Sequence, residues 1–380
     1  MSTPLNKLCE LIVDCPHSTA PDEGEGYPLI RTPNIGPGYL DLTDVHRVSK
    51  ETYDIRNARA VPQPMDLILA REAPAGNVGI IREGQWVCLG QRTVLIRPDQ
   101  KKVDPWFLNY YLNAPRQRHR LLSNANGATV SHVNMPTIRN LPVDMPSMEA
   151  QRRIASILMA YDNLIENNRK QIALLEEAAQ RLYKEWFVDL RFPGYENAEY
   201  ISGLPKGWQR TKLIELVEFR RGKVITAKQT RDGDIPVIAG GLAAAYRHDT
   251  ANTKAPVITV SGSGANAGYT ALHESDIWAS DCSYVDSSMT SSIYFIYLSV
   301  KVLGRGFKHL QRGSAQPHVY PSQINELEVI VPTDECLNTF ESIAQQIYHN
   351  MRLLKQKVFY ADEARNRLLP KLMSGEIEAL

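Results

Sequence analysis

Between Pro146 and Pro193 the chain reads "SMEAQRRIASILMAYDNLIENNRKQIALLEEAAQRLYKEWF", Ser147 to Phe187, with neither glycine nor proline. Nothing in this run interrupts a helix, and a breaker stands on each side. Unbroken, such a helix would reach roughly 60 Å at 1.5 Å per residue. Ser147 is placed to cap it, and Glu149 puts an acid in the first turn, where the helix dipole favours one. Ile154, Tyr161, Asn168, Leu175 and Leu182 recur every seven residues. Ile157, Leu164, Gln171 and Ala178 form the next line, and Leu158, Ile165, Ile172, Ala179 and Trp186 the line beside it. This stripe is wider than a strict two-position seam and cannot be left in water, so the helix requires a partner. Asn168 on the stripe either fixes the pairing register or faces solvent at its boundary.

The partner is encoded in the same chain. "GATVSHVNMPTIRNLPVDMPSMEAQRRIASIL" from Gly127 aligns without a gap on "GSAQPHVYPSQINELEVIVPTDECLNTFESIA" from Gly313, a shift of 186 positions. Gly127, His132, Val133, Ile138, Leu141, Val143, Pro146, Glu149, Ser156, Ile157, Glu177, Ala178, Arg181 and Leu182 all meet an identical residue. That is 14 identities in 56 ungapped positions, too many for coincidence. A period this long means a duplicated unit of domain plus helix, not a solenoid. A second helix is expected from Thr333, carrying Phe340, Ile347, Leu354, Ala361 and Leu368 on the matching line.

Upstream the repeat continues more weakly. "NKLCELI" from Asn6 resembles "TKLIELV" from Thr211, "YPLIRTPNI" resembles "IPVIAGGLA", and "LILAREAPAGNVGII" resembles "VITVSGSGANAGYT". These are short β-rich runs punctuated by glycine and proline. The expected fold is a mixed α/β tandem pseudo-repeat, with two globular domains separated by two long antiparallel coiled-coil-like helices. The expected boundaries are 1–146 for the first domain, 147–192 for the central helix, 193–332 for the second domain and 333–380 for the C-terminal helix.

Composition narrows the function. The formal net charge is only +1, so any basic surface must be local. Five scattered cysteines, Cys9, Cys15, Cys88, Cys282 and Cys336, form no C-x-x-C pair and suggest reduced thiols in a cytoplasmic protein. The opening "MSTPLNKLCELIVDCPHS" is too polar for a secretory leader, and no apolar run is long enough to span a membrane. "RPDQKKVD" contains an Asp-x-Lys but lacks the second carboxylate of a nuclease metal site. Asp44, His17 and His46 have no metal-ligand spacing.

Taken together, these features resemble the specificity (S) subunit of type I restriction–modification systems. The resemblance covers nearly the whole chain. It rests on "LPVDMPSMEAQRRIASIL" entering the first helix, "LPKGWQRTKLIELV" opening the second half, "ARNRLLPKLMSGEIEAL" closing the chain, "DCPHST" near the start, and the repeat itself. The first half lacks the "LPKGW" opener of the second. The resemblance implies two target-recognition domains, each reading one half of an asymmetric bipartite sequence in double-stranded DNA. It implies that the helices set the gap and dock two methyltransferase subunits, which restriction subunits with ATP-driven translocation can join. S-adenosylmethionine, and ATP with magnesium, are expected on those partners. This chain is expected to be non-catalytic and to carry no cofactor or metal. It has no Asp/Asn-Pro-Pro-aromatic run for a flipped adenine and no glycine-rich turn well placed for S-adenosylmethionine. The competing expectation is a non-catalytic assembly adaptor whose globular domains bind protein instead of DNA.

On the DNA reading, arginine and lysine supply phosphate contacts and polar loop residues reach base edges. The basic candidates are Arg92; Arg116, Arg118 and Arg120 of "RQRHR"; Arg220, Arg221 and Lys223 of "FRRGK"; and Arg305, Lys308 and Arg312. The polar candidates are Ser131, His132 and Asn134, and Gln316, His318 and Tyr320 in the repeated loop. Each basic cluster reads equally as a solvated charged face. A histidine shared by both halves suits a structural role as well as a recognition role. Ser263 and Asn266 lie in "SGSGANAG", which has the look of a phosphate cradle but lacks the Lys-Ser/Thr of a P-loop, and a hairpin turn explains it as well. The residues expected to pack the helices or dock partners are Ile154, Tyr161, Leu164, Asn168, Leu175, Leu182, Phe340, Ile347, Leu354 and Leu368.

Overall fold

The long glycine-free run is helical from Met148 to Tyr183 and continues as a π turn over Lys184–Val188. In this computed structural model, residues 2–72, 74–123, 132–304 and 318–379 are described. Ser147 caps the helix as expected, its Oγ accepting from the Ala150 amide at 3.3 Å. The second long helix runs Asp334–Ser374, opening with two acids that favour the dipole and stopping before Gly375, whose φ of 74° suits a left-handed helix end.

The chain divides into two compact units, Met1–Glu166 with Val358–Leu380, and Asn167–Lys357. In the first unit an antiparallel sheet has the order Cys9–Asp14, Thr93–Pro98, Leu67–Ala70, Val78–Ile80. Beside it Tyr27–Ile30 pairs antiparallel with Arg47–Val48 and parallel with Cys88–Leu89. Ser2–Pro4 pairs with Pro142–Asp144 just ahead of the long helix. The core joins Leu67, Leu69, Val94 and Ile96 of the sheet to Phe107 and Leu108 of the helix Pro105–Asn113. Ile154 and Leu158 enter it from the first long helix and Leu372 from the second.

The second unit repeats this order strand for strand. Its four-stranded sheet is Arg220–Arg221, Cys282–Asp286, Val257–Ser261, Thr270–His273. Ile235–Ile238 pairs antiparallel with Tyr246–His248 and parallel with Trp278–Ala279. Gln209–Lys212 pairs with Glu328–Val331. The segments matched by sequence, "YPLI" with "IPVI" and "LILA" with "VITVS", occupy equivalent strands. The duplication is therefore structural.

The pairing of the long helices is antiparallel. In the first unit the early residues Ile154 and Leu158 share a core with the late residues Leu368 and Leu372, and Asp162 accepts from Arg365 at 2.6 Å. In the second unit the late residues Leu175, Ala179 and Leu182 share a core with the early residues Phe340, Ala344 and Ile347. The seam differs from expectation in one respect. Its centre is the line of Leu158, Ile165, Ala179 and Trp186, all buried, whereas Leu164 is 46% exposed. Tyr161 and Leu354 are partly exposed. Asn168 is buried, and its Nδ2 has no partner among the described residues, which is the costly arrangement of a polar group retained inside a seam.

Each unit also carries one helix from its domain onto the long helices, and each satisfies the first-turn amides of that helix differently. In the first unit Asp104 caps Pro105–Asn113 locally, accepting from the Phe107 amide at 2.9 Å, and Gln151 on the long helix accepts from the Asp104 amide. In the second unit Ser292, at the cap of Ile293–Leu303, makes no side-chain cap bond. Instead Glu341 reaches across from the second long helix and accepts from the amides of Tyr294 and Phe295 at 2.7 and 2.9 Å. Burial raises the Glu341 carboxyl from 4.5 to about 7, against the lowering effect of those two amide bonds. A carboxyl that binds its proton more tightly when folded contributes stability below its unfolded pKa and loses that contribution as pH rises. The second unit should therefore lose roughly 3 kcal/mol between about pH 4.5 and pH 7 from this group. Denaturant titrations of wild type and Glu341→Gln across that window check it. A stability difference that does not vary with pH would remove Glu341 as the titrating group.

Candidate nucleic-acid interface

Arg71 and Glu72 follow directly on the strand Leu67–Ala70, and there the chain brings together residues from four separate segments of the first unit. The Arg71 carbonyl accepts from the Val133 amide at 3.1 Å, which fixes His132 beside the strand end. Arg71 forms an ion pair with Asp14, the last residue of the strand Cys9–Asp14 on the far side of Thr93–Pro98, and donates from Nη2 to His132 Nε2 at 2.8 Å. His132 Nδ1 lies 2.7 Å from the Glu72 carboxylate. Arginine only donates and a carboxylate only accepts, so Nε2 is the acceptor and Nδ1 the donor. The other Glu72 oxygen takes the Nε of Arg92 at 2.9 Å. Asp14, Arg71, His132, Glu72 and Arg92 thus form one continuous polar network. Arg71 is buried, and Arg92 is 53% exposed at the rim. Arg92 has φ of 67°, a conformation that costs a non-glycine residue on the order of 1 kcal/mol and needs support from its surroundings.

The second unit builds the same corner on the same backbone. The Gly222 amide bonds the Cys282 carbonyl at 2.8 Å as Cys15 bonds Thr93 at 3.1 Å, and Val319 bonds Gly262 at 3.0 Å as Val133 bonds Arg71. Arg221 therefore stands where Asp14 does, Gly262 where Arg71 does, Ser263 where Glu72 does and His318 where His132 does. Asp281, the residue before the strand Cys282–Asp286, takes the place of Arg92. Arg221 donates to Asp281 at 2.6 Å, and the Ser263 hydroxyl lies 3.5 Å from the same carboxylate. Ser263 and His318 form a β-bridge, and His318 stacks on Tyr320 at 5.9 Å.

The remaining candidates are distributed unevenly. Arg116 is exposed on the helix Pro115–Ser123, whereas Arg118 reaches the Ala75 carbonyl at 3.4 Å and Arg120 lies near Gln117 and Asp144. Asn134 caps the helix Met135–Arg139, accepting from the Thr137 amide, so its oxygen has a structural partner. Arg220 pairs with Glu218, and the Lys223 amine sits 6.0 Å over the Trp278 ring. Asn266 closes a short turn between the antiparallel strands Val257–Ser261 and Thr270–His273, so "SGSGANAG" is a hairpin connection with Gly264 and Gly268 at positive φ. Tyr320 is exposed and begins the helix Pro321–Asn325. Ser131, Arg305, Lys308, Arg312 and Gln316 lie outside the described residues. Sequence reading missed Asp14, Arg71, Glu72 and Asp281. No local pattern marks them, because each finds its partner through sheet pairing.

No cluster of three or more metal-type side chains occurs among the described residues, and no described helix is long and apolar enough to cross a membrane. The profile of the type I restriction modification DNA specificity domain matches twice, over residues 7–177 and 205–355. The chain is similar to the type I restriction enzyme MjaIX specificity subunit of Methanocaldococcus jannaschii, 25% identical over 339 residues, covering 82% of this chain and 77% of that protein. It is 28% identical over 195 residues to the type I restriction enzyme EcoBI specificity subunit of Escherichia coli, covering 48% of this chain and 40% of that one. In fold it is similar to the crystal structure of a type I restriction-modification S subunit from M. genitalium, with a TM-score of 0.66 at 17% identity, covering 98% and 95% of the two chains. Two matched specificity domains, each coinciding with one copy of the same strand order, place this chain in the type I restriction–modification DNA specificity family.

Proposed function

We propose that this specificity subunit reads a bipartite, asymmetric DNA target, each recognition domain taking one half-site. On this reading residues 1–146 and 193–332 are the recognition domains, and the long helices within 147–192 and 333–380 set the gap. One observation carries the proposal: two copies of one backbone corner present different side chains, Asp14, Arg71, Glu72 and Arg92 in one and Arg221, Gly262, Ser263 and Asp281 in the other. Identical scaffolds with different polar rims suit the reading of two different short sequences. The exposed Arg116 and Lys223 supply phosphate contacts that hold the register.

The chain works without catalysis of its own, in a complex with two methyltransferase subunits that carry S-adenosylmethionine, and with restriction subunits where present. Leu164, Phe359 and Tyr360 in the first unit and Leu174 and Leu353 in the second leave apolar side chains exposed on the long helices, the surface such partners need. The complex acts in the cytoplasm. Co-expression with a type I methyltransferase subunit in a host free of adenine methylation, followed by genome-wide mapping of N6-methyladenine, tests the proposal. The expected result is methylation at one split motif with a fixed unspecified gap. A stable complex that methylates no such motif would reject it.

A further inference from the structure

The two corners differ in a specific way: the order of charge is reversed. Where the first unit has acidic Asp14 the second has basic Arg221, and where the first has basic Arg92 the second has acidic Asp281. Each corner nevertheless ends in one half-exposed arginine gripped by one acid, Arg92 by Glu72 at 2.9 Å and Arg221 by Asp281 at 2.6 Å. The side chains of Arg92 and Arg221 are 53% and 56% exposed, and their acids 22% and 37%.

The backbone at this corner differs by one residue between the units. Gly90 and Ser280 make the same bond, to the carbonyls of Ile30 and Ile238, each at 2.8 Å. From there to Thr93 the first unit has two intervening residues, Gln91 and Arg92, whereas from Ser280 to Cys282 the second has one, Asp281. The extra residue is accommodated at Arg92, whose φ of 67° is the strained one. A turn that places arginine, not glycine, in that conformation retains the side chain at a cost.

We propose that these arginine–acid pairs are base-reading pairs, each recognising one G·C pair of its own half-site in the major groove. The inference rests on the bipartite reading above. An arginine beside a carboxylate is poorly suited to a phosphate, because the acid repels the phosphate and the pair carries no net charge. A G·C pair presents the complementary pattern: the guanine O6 and N7 accept from a guanidinium, and the cytosine N4 donates to a carboxylate. Each arginine holds its acid through one nitrogen and has further donors in its fork for guanine. In the first unit His132 is a positioning residue in this scheme: it bonds the far Glu72 oxygen and so orients the carboxylate for Arg92.

The test uses the full chain assembled with its methyltransferase subunit. Wild type, Arg92→Gln and Arg221→Gln complexes are compared by methylation mapping and by duplex binding as a function of salt. If the wild-type complex methylates no split motif, the bipartite reading fails and the pairs are not base readers. Given a split motif, Arg92→Gln should relax one G·C position in one half-site by about tenfold or more, and Arg221→Gln one position in the other half-site only. The salt slope of binding should be unchanged in both. A motif that stays intact while the salt slope falls by about one makes these arginines phosphate contacts and overturns the proposal. An intact motif with unchanged binding overturns it as well. Arg92→Gly guards against a folding artefact, since glycine relieves the strained φ, and it should relax the same position as Arg92→Gln. A complex that melts as wild type and keeps that G·C position in Arg92→Gly refutes the assignment.

Discussion

Removing seven residues from each long helix, around Glu166 in the first and Val358 in the second, is expected to shorten the gap between half-sites and leave the half-site bases unchanged. Seven residues preserve the apolar lines, so the stripes of the shortened helices still face one another. The loss of rise is about 10 Å per helix. On B-DNA that corresponds to about three base pairs along the axis. Translation is not the only constraint. DNA repeats about every 10.5 base pairs, so a three-base-pair change turns one half-site by about 100° around the duplex. The heptad deletion turns the helix face by only about 20°. The two requirements conflict, and DNA twist and the linkers into each domain must absorb the difference. The gap should therefore shorten by at least one and at most about three base pairs. Mapping N6-methyladenine in the double-deletion complex measures it. Altered half-site bases with an unchanged gap would end the ruler interpretation, and deleting from one helix alone should abolish assembly because the seam loses register.

Much of this architecture was legible in the sequence because it is written in local or periodic signals. The helix from Met148 has a cap, an acid in the first turn, no breaker and a repeating stripe, so it needs no tertiary information to be seen. The duplication was legible because both copies bury equivalent side chains, such as Val133 and Val319, Ile138 and Ile324, or Val143 and Val329. Which flank of the stripe is covered was not legible. Leu164 and Leu158 are both apolar, and only the position of the neighbouring helix and domain leaves the first exposed and the second fully buried.

The candidate site was legible by residue type and not by connection. Arg92 and Arg221 were candidates as basic residues, Arg221 within "FRRGK", and His132 and His318 through the repeat. The acids that orient them did not, because Asp14 meets Arg71 across 57 positions and Arg221 meets Asp281 across 60. Such pairings are consequences of strand order. Conversely, Asn134 looked like a base reader and caps a helix, a role its position just before "MPTIR" already allowed. The Glu341 cap was hidden for the same reason as the ion pairs: its donors lie 46 and 47 positions upstream.

The same duplication predicts where the second unit is most vulnerable. Phe340 occupies the position that Ile154 occupies in the first copy, and both are buried. The larger residue has become the centre of an aromatic cluster. Its ring lies 4.8 Å from Phe187, 5.7 Å from Trp186, and 6.2 Å from both Tyr183 and Phe295. Those partners come from the first long helix and from the domain helix, so one side chain ties three elements of the unit together. Phe340→Ala removes the ring and leaves a cavity walled by large planar groups that cannot collapse without losing their own contacts. The expected loss is about 3–5 kcal/mol. Hydrogen exchange reads it locally: protection of the strand Val257–Ser261 should fall by about a hundredfold or more. Ile154→Val at the equivalent site removes one methylene and should cost only about 0.5–1.5 kcal/mol in the first unit. A loss of protection below tenfold in Phe340→Ala would mean that the cluster repacks around the cavity and that Phe340 does not anchor the unit. If the larger loss is found, methylation by the Phe340→Ala complex should fail at a lower temperature than by the Ile154→Val complex, because both half-sites must be held for the split target to be read.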